Sequence, residues 1–282
     1  MNKTIWILWV QGYDNAPSIV KKCITSWVTQ NPDWQVNVLD RQTVGHYVDI
    51  DMPKETLDKL SLNHFSDVLR VALLSQHGGV WADATLYCRQ PLNSWLTERM
   101  NSGFFAFSRE NEKRVSSCWF LAATANNPIP VKLNRAMKTY WLTYRRFTYV
   151  KPRVKLWRKA QKTIPRFLLN HKKRNNLLIK IIQRKELYPP YFLINDLFSD
   201  FLKHDETFRN VWDKTPIYSA ADPLLVARIG YRSIINEQNK RLIEASSAPL
   251  FKLTWKAEYI EPNPESVIAY MHSIMPRVQP EI

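Results

Sequence analysis

Short apolar runs alternate with amphipathic stretches along this 282-residue chain. "TIWILWV" at residues 4–10 is β-branched and aromatic, short, and followed by Gly12, which predicts a buried strand. "APSIVKKCITSWVTQ" then sets Pro17 near a helix start and puts Ile19, Val20, Cys23, Ile24 and Trp27 at helical spacing. "NPDW" breaks that helix, and the alternation of "QVNVLD" predicts a second strand, a β–α–β opening that starts a parallel sheet. A long helix is predicted over roughly Lys54 to His77. Phe65, Val68, Leu69, Ala72 and Leu73 form one stripe and Val71 and Leu74 lie on the other side, so it should be buried almost all round. Gly78-Gly79 should end it through a left-handed cap, leading into a strand at Val80, Trp81 and Ala82 with Asp83 at its carboxyl end. "GFFAF" reads as a strand, "WFLAATANNPIPVKLNRAMKTYWLTY" as a strand-like piece and a helix, and "YFLINDLFSDFL" as an apolar-rich helix. "TPIYSAADPLLVA" and "APLFKLTWK" read as loop-rich.

This order predicts one α/β domain over residues 1–282, and the 45% hydrophobic content can fill its core. The start, "MNKTIWILWVQG", holds too short an apolar run for a signal peptide, and no stretch approaches the roughly 18–20 apolar residues of a membrane span. The expectation is a cytoplasmic protein. Cys23, Cys88 and Cys118 are odd in number and far apart, as reduced core thiols would be, and neither they nor the six histidines show zinc-site spacing.

Charge changes the picture in one place. The chain carries +15, yet fifteen of its 40 Lys and Arg lie between Arg145 and Lys185 with no Asp or Glu among them, so the remainder balances 25 basic against 25 acidic residues. A neutral globular protein therefore carries one basic segment, expected as a helical insertion over 145–187.

Asp83 is the first candidate for chemistry. Asp is a poor strand residue, and at a strand end it is ordinarily a turn former or helix cap. In open α/β sheets, however, ligands bind outside the carboxyl ends of the strands. A carboxylate there can hold a hard cation, and a cation can neutralise a diphosphate. Asp67 and Arg70, spaced i, i+3, are neighbours on the preceding helix and would face the same place. They read equally as an internal salt bridge and as a sugar-binding pair.

Four blocks then carry a family likeness: "IWILWVQG…AP…V…C…SW…NPDWQV" at 5–36, "SDVLRVALLSQHGGVWADATLY" at 66–87, "YFLINDLF" at 191–198 and "APLFKLTWK" at 248–256. The chain resembles bacterial capsular polysaccharide synthesis glycosyltransferases, relatives of the DXD sugar-binding enzymes of glycosyltransferase family 32. The second block is the specific one, and the basic segment is the least matched region. The resemblance implies a GT-A-type (Rossmann-like) mixed sheet flanked by helices, a nucleotide-sugar donor such as a UDP-sugar, and retention of anomeric configuration. It places Trp9 against the nucleotide base, Gln11 beside it in the donor site, Asp67 and Arg70 on the donor sugar hydroxyls, and Asp83 as the first Asp of the DXD signature. Thr85 stands where the second carboxylate would be, so the implied Mn2+ or Mg2+ would rest on Asp83 and Thr85, one strong ligand and one weak. Lys252, Thr254, Trp255 and Lys256 would close over the diphosphate, or else form a surface strand with alternating lysines. Asn195 and Asp196 are the nearest further candidates for catalysis or sugar contact, with a helix cap or exposed turn as their other reading.

The resemblance also implies as acceptor a growing bacterial surface polysaccharide, a glycan or a polyprenyl-diphosphate-linked chain. The basic segment interleaves apolar residues such as Phe147, Tyr149, Trp157, Phe167 and the run 177–182 among its charges. That composition suits an interfacial anchor on anionic lipid at the inner membrane face. A nucleic-acid-binding role for 145–185 is the alternative, though no recognised binding motif is present. A glycoside hydrolase would need two carboxylates facing one bond, and no convincing pair accompanies Asp83.

Overall fold

The structure is a computed structural model, and it describes residues 2–108, 115–143, 191–256 and 263–278. The basic insertion expected over 145–187 lies outside the described residues. In chain order the elements are β1 Thr4–Leu8, α1 Ser18–Gln30, β2 Gln35–Leu39, α2 Val44–Tyr47, α3 Lys54–Lys59, α4 Leu62–Gln76, β3 Gly79–Ala82, β4 Leu86–Cys88, β5 Phe104–Ser108 and β6 Ser116–Ala123. They continue with α5 Pro128–Thr143, α6 Leu193–His204, α7 Glu206–Asp213, α8 Leu225–Ile229, α9 Glu237–Glu244, β7 Leu250–Lys252 and α10 Val267–Ile274.

The main sheet has the order β2-β1-β3-β6-β5. β1 pairs in parallel with β2 and β3, whereas β6 is antiparallel to both β3 and β5. One strand thus runs against the other four, and the mixed α/β sheet flanked by helices expected from the sequence is present. Strand alternation sorts the core into two layers. Ile5, Ile7, Val80 and Ala82 face the layer that includes α1 and α10; Trp6, Leu8 and Trp81 face the layer of α4, α5 and α6.

The predicted helix over Lys54 to His77 is two helices. Leu60 and Ser61 are extended between them, because the Ser61 side chain accepts from the His64 N–H and caps a new start. From there α4 is buried almost all round, as its apolar residues require: Val68, Leu69, Val71, Ala72, Leu73 and Leu74 are all fully enclosed. Gly78 and Gly79 follow at φ +66° and +90°. A Cβ on Gly79 would lie 2.5 Å from the Thr4 carbonyl oxygen, so glycine lets β3 enter tightly beside β1. "APLFKLTWK", read as loop-rich, contributes β7, which pairs antiparallel with β4 in a small second sheet (Leu86 opposite Lys252). Neither three-residue strand has the alternation length that betrays a strand in sequence.

Candidate functional site

A cavity of about 430 Å³ opens at the carboxyl ends of β1 and β3, within the range of small-molecule sites. Its lining includes Trp9, Gln11, Asp67, Arg70, Asp83, Thr85, Asn195, Lys252, Thr254, Trp255 and Lys256. Of the sequence-derived candidates, one stays out. Asp196 is exposed on α6 and does not line the cavity, because the neighbouring Asn195 takes the inward helical position. Asn195 is buried and its Nδ2 donates to the Ser116 carbonyl at 2.9 Å, tying α6 to β6.

Asp83 directly follows β3, and its N–H donates to the Trp119 carbonyl on β6. Trp81, two residues earlier on the same sheet face, donates Nε1–H to Asp83 Oδ1 at 3.0 Å. Arg70 reaches the same oxygen from α4 at 3.4 Å and Asp67 at 3.2 Å. The guanidinium is fixed further by the Cys118 carbonyl at 2.6 Å, by Ser66 Oγ at 2.9 Å, and over the Trp81 ring at 5.1 Å. On the other side of Asp83, the Lys252 ammonium donates to Oδ2 at 2.9 Å and to Thr85 Oγ1 at 2.7 Å.

The electrostatics follow from this arrangement. Burial alone would raise the Asp83 carboxyl, but Lys252 and then Arg70 outweigh it and hold the pKa below the ordinary carboxylate range. Asp67 goes the other way. Burial exceeds the pull of Arg70, and Asp83 adds repulsion, so its carboxyl is pushed up to about 6. Burial disfavours charge on Arg70, yet Asp67 and the neighbouring acceptors more than compensate and its pKa rises.

At the cavity mouth Trp9 and Trp255 meet edge to face, 5.6 Å between centroids at 83°. Trp9 Nε1 is buried without a hydrogen-bond partner among the described residues. Trp255 is 50% exposed, and Lys256 beside it is exposed on the same lip.

The donor set at Asp83 and Thr85 does not fit the expected divalent cation. Both Asp83 oxygens already accept from N–H donors, two of them cationic, and the Thr85 hydroxyl is taken by the same Lys252 ammonium. A dication set between these two residues would have to displace Lys252 and stand beside it and Arg70. Such a site needs carboxylates to offset that repulsion, and no group of three His, Cys, Asp or Glu side chains is assembled among the described residues.

Three contributors escaped the sequence reading. Ser66 and Trp81 had a legible signal, i, i+4 from Arg70 on a helix and i, i+2 from Asp83 on a strand. The Cys118 carbonyl had none, because it comes from a strand 48 residues from Arg70.

A family model described as "Capsular polysaccharide synthesis protein" matches residues 1–150 and 168–271. The O-glycosyltransferase braB of Annulohypoxylon truncatum is 36% identical over 160 residues, covering 50% of this chain and 38% of its own. The glycosyltransferase afumC of Aspergillus fumigatus is 30% identical over 104 residues, 33% of this chain and 27% of its own. The matched region thus spans well under half the length of these relatives. Among solved structures, the PaToxG glycosyltransferase has a TM-score of 0.38 at 16% identity, covering 77% of this chain and 88% of its own. The UDP-bound glycosyltransferase domain of the YGT toxin has a TM-score of 0.40 at 10% identity, covering 87% of this chain and 89% of its own.

Proposed function

Since the chain belongs to the capsular polysaccharide synthesis protein family, we propose that it is a retaining glycosyltransferase that moves a hexose from a nucleotide sugar, a UDP-sugar, to a growing lipid-linked glycan. The observation that carries this reading is the single cavity uniting Asp83, the Asp67–Arg70 pair, Lys252 and the Trp9–Trp255 contact. Aromatic faces suit a nucleotide base, the charged pair suits sugar hydroxyls, and the lysines suit a diphosphate.

The chemistry then needs little base. The bond from the anomeric carbon to the diphosphate oxygen breaks with its electrons going to that oxygen. Lys252 and Lys256 meet the charge that develops there. The acceptor hydroxyl bonds the same face of the sugar and hands its proton to the departing diphosphate. Asp67 and Asp83 are the only carboxylates among the described lining residues, and both are ion-paired, which favours this route over one with a free carboxylate base. The same pairing argues against a glycoside hydrolase.

The test is release of nucleoside diphosphate from a panel of nucleotide sugars. Release from at least one UDP-sugar is expected, and a protein that binds nucleic acid through 145–185 would release none.

Asp67 sets a pH dependence. Arg70, Asp83 and the Cys118 thiol surround it; burial pushes that thiol up to about 11, so it stays neutral in the working range. If the ionised carboxylate grips the donor sugar, turnover falls about tenfold per pH unit once the pH is well below 6. Asp67→Asn lowers activity and flattens that acid limb; an unchanged limb in the variant removes Asp67 from the role.

Membrane attachment through 145–185 completes the proposal. No helix of the described residues is long and apolar enough to cross a membrane. Each Lys or Arg near an anionic surface contributes about 1 kcal/mol, so a few of the fifteen in this segment suffice. Wild-type protein is expected to sediment with phosphatidylserine vesicles at low salt, and a variant lacking 145–185 is not. Wild-type protein left in the supernatant refutes the anchor.

A further inference from the structure

We infer that the Lys252 ammonium is the resident cation of this site and that it, in place of a divalent metal, receives the charge of the leaving diphosphate. The inference rests on the transferase reading above and concerns how that site works.

Two departures from a DXD pair match each other. Where a second carboxylate would bind metal stands Thr85, and between Thr85 and Asp83 lies an ammonium, 2.7 Å from the one and 2.9 Å from the other. A hydroxyl accepts from an ammonium without adding charge, whereas a carboxylate there would balance a dication. Asp83 and Thr85 are thus a ligand set for a monocation that the chain itself supplies.

The position is built by the backbone. Lys252 pairs with Leu86 in the β4–β7 ladder, and the Leu253 N–H donates to the Thr85 carbonyl at 2.8 Å. The Lys252 N–H donates to the Pro223 carbonyl at 2.8 Å, and its own carbonyl accepts from the Tyr231 hydroxyl at 3.0 Å. The start of the lysine stem is therefore held in place.

An ammonium has three N–H donors. Asp83 and Thr85 take two, and the side chain, 21% exposed at the cavity, keeps the third for an incoming phosphate oxygen. As the anomeric carbon–oxygen bond breaks and its electron pair moves onto the diphosphate, that donor meets the charge where it forms. The acceptor proton neutralises part of it. No reactant beyond donor and acceptor is needed.

The experiment uses the full chain, stripped with EDTA and checked for residual metal by mass spectrometry, assayed for nucleoside diphosphate release. Equal rates in EDTA, Mn2+ and Mg2+ are expected. Calorimetry should give the same UDP affinity with and without Mn2+. Lys252→Ala, with its fold verified by circular dichroism, should lose at least about 100-fold in rate, and Mn2+ should not restore it. A stripped wild-type enzyme that is inactive until Mn2+ returns overturns the inference without touching the transferase assignment, and this arm decides even if the variant fails to fold. A folded Lys252→Ala with wild-type rate overturns it as well. No release from any donor under any condition refutes the transferase reading itself, and this inference with it.

Discussion

Asp83→Ala lowers nucleoside diphosphate release by at least about 10³-fold while the chain stays folded. Asp83 holds the Lys252 ammonium at Oδ2 and receives Trp81 and Arg70 at Oδ1. Without it, the Lys252 ammonium keeps only the Thr85 hydroxyl and loses its charged partner, and the proposed arrangement that meets the leaving group is lost. The fold survives because Arg70 keeps Asp67, Ser66 and the Cys118 carbonyl, and because Asp83 lies beyond the last residue of β3. The expected stability loss is about 1–3 kcal/mol, the cost of partners left without their acceptor. Turnover measured beside a thermal melt checks both halves, and near wild-type rate in a folded variant removes Asp83 from catalysis.

The largest loss of stability is expected from Arg70→Met. Arg70 and Asp67 are 4% and 5% exposed, and the guanidinium is the cation that holds Asp67 in the core. Removing one partner of a buried pair costs about 3–5 kcal/mol. The Cys118 carbonyl and Ser66 hydroxyl are orphaned in addition. The sign of the pH dependence follows from Asp67. Its folded pKa lies above the unfolded value, so its favourable contribution is complete below the unfolded pKa and is lost as pH rises through about 6. Without Arg70 the folded pKa climbs further. Urea unfolding should show Arg70→Met closest to wild type near pH 4–5 and progressively worse toward pH 8, and Asp67→Asn in the same chain should recover much of the loss at pH 8. A pH-independent deficit means that Asp67 is not the group left stranded. Arg70→Lys should not rescue, since one ammonium cannot reach Asp67, Asp83, Ser66 and the Cys118 carbonyl together.

Legibility in the sequence followed the range of the interactions. Alternation and helical spacing exposed β1, α1, β2, α4 and β3 because each is long enough, or regular enough, to show its period. The same local rules set Asp83 at a strand end and Asp67 beside Arg70. The break at Ser61 had a cap residue as its signal, overridden by an apolar pattern that continues across it. β4 and β7 were hidden, since three-residue strands carry no period and their partners lie far apart in sequence. That pairing is also what brings Lys252 to Asp83, so the ammonium between Asp83 and Thr85, and the poor fit of the site to a metal, could not be read from "DAT" and "KLTWK" taken separately.

The β4–β7 ladder also sets the order in which the site can come into being. Asp67, Arg70 and Asp83 belong to the first third of the chain, and 169 residues separate Asp83 from the lysine that answers it. During synthesis the sheet core of β1, β2 and β3 can form while Lys252 has yet to be made, and closing so long a loop is among the slower events of folding. Until β7 docks, the cluster of Asp67, Arg70 and Asp83 lacks Lys252, and Trp9 lacks the Trp255 ring that follows β7. On the proposed reading, competence to break the sugar–phosphate bond thus arrives late in folding, together with the lip of the cavity that β7 carries.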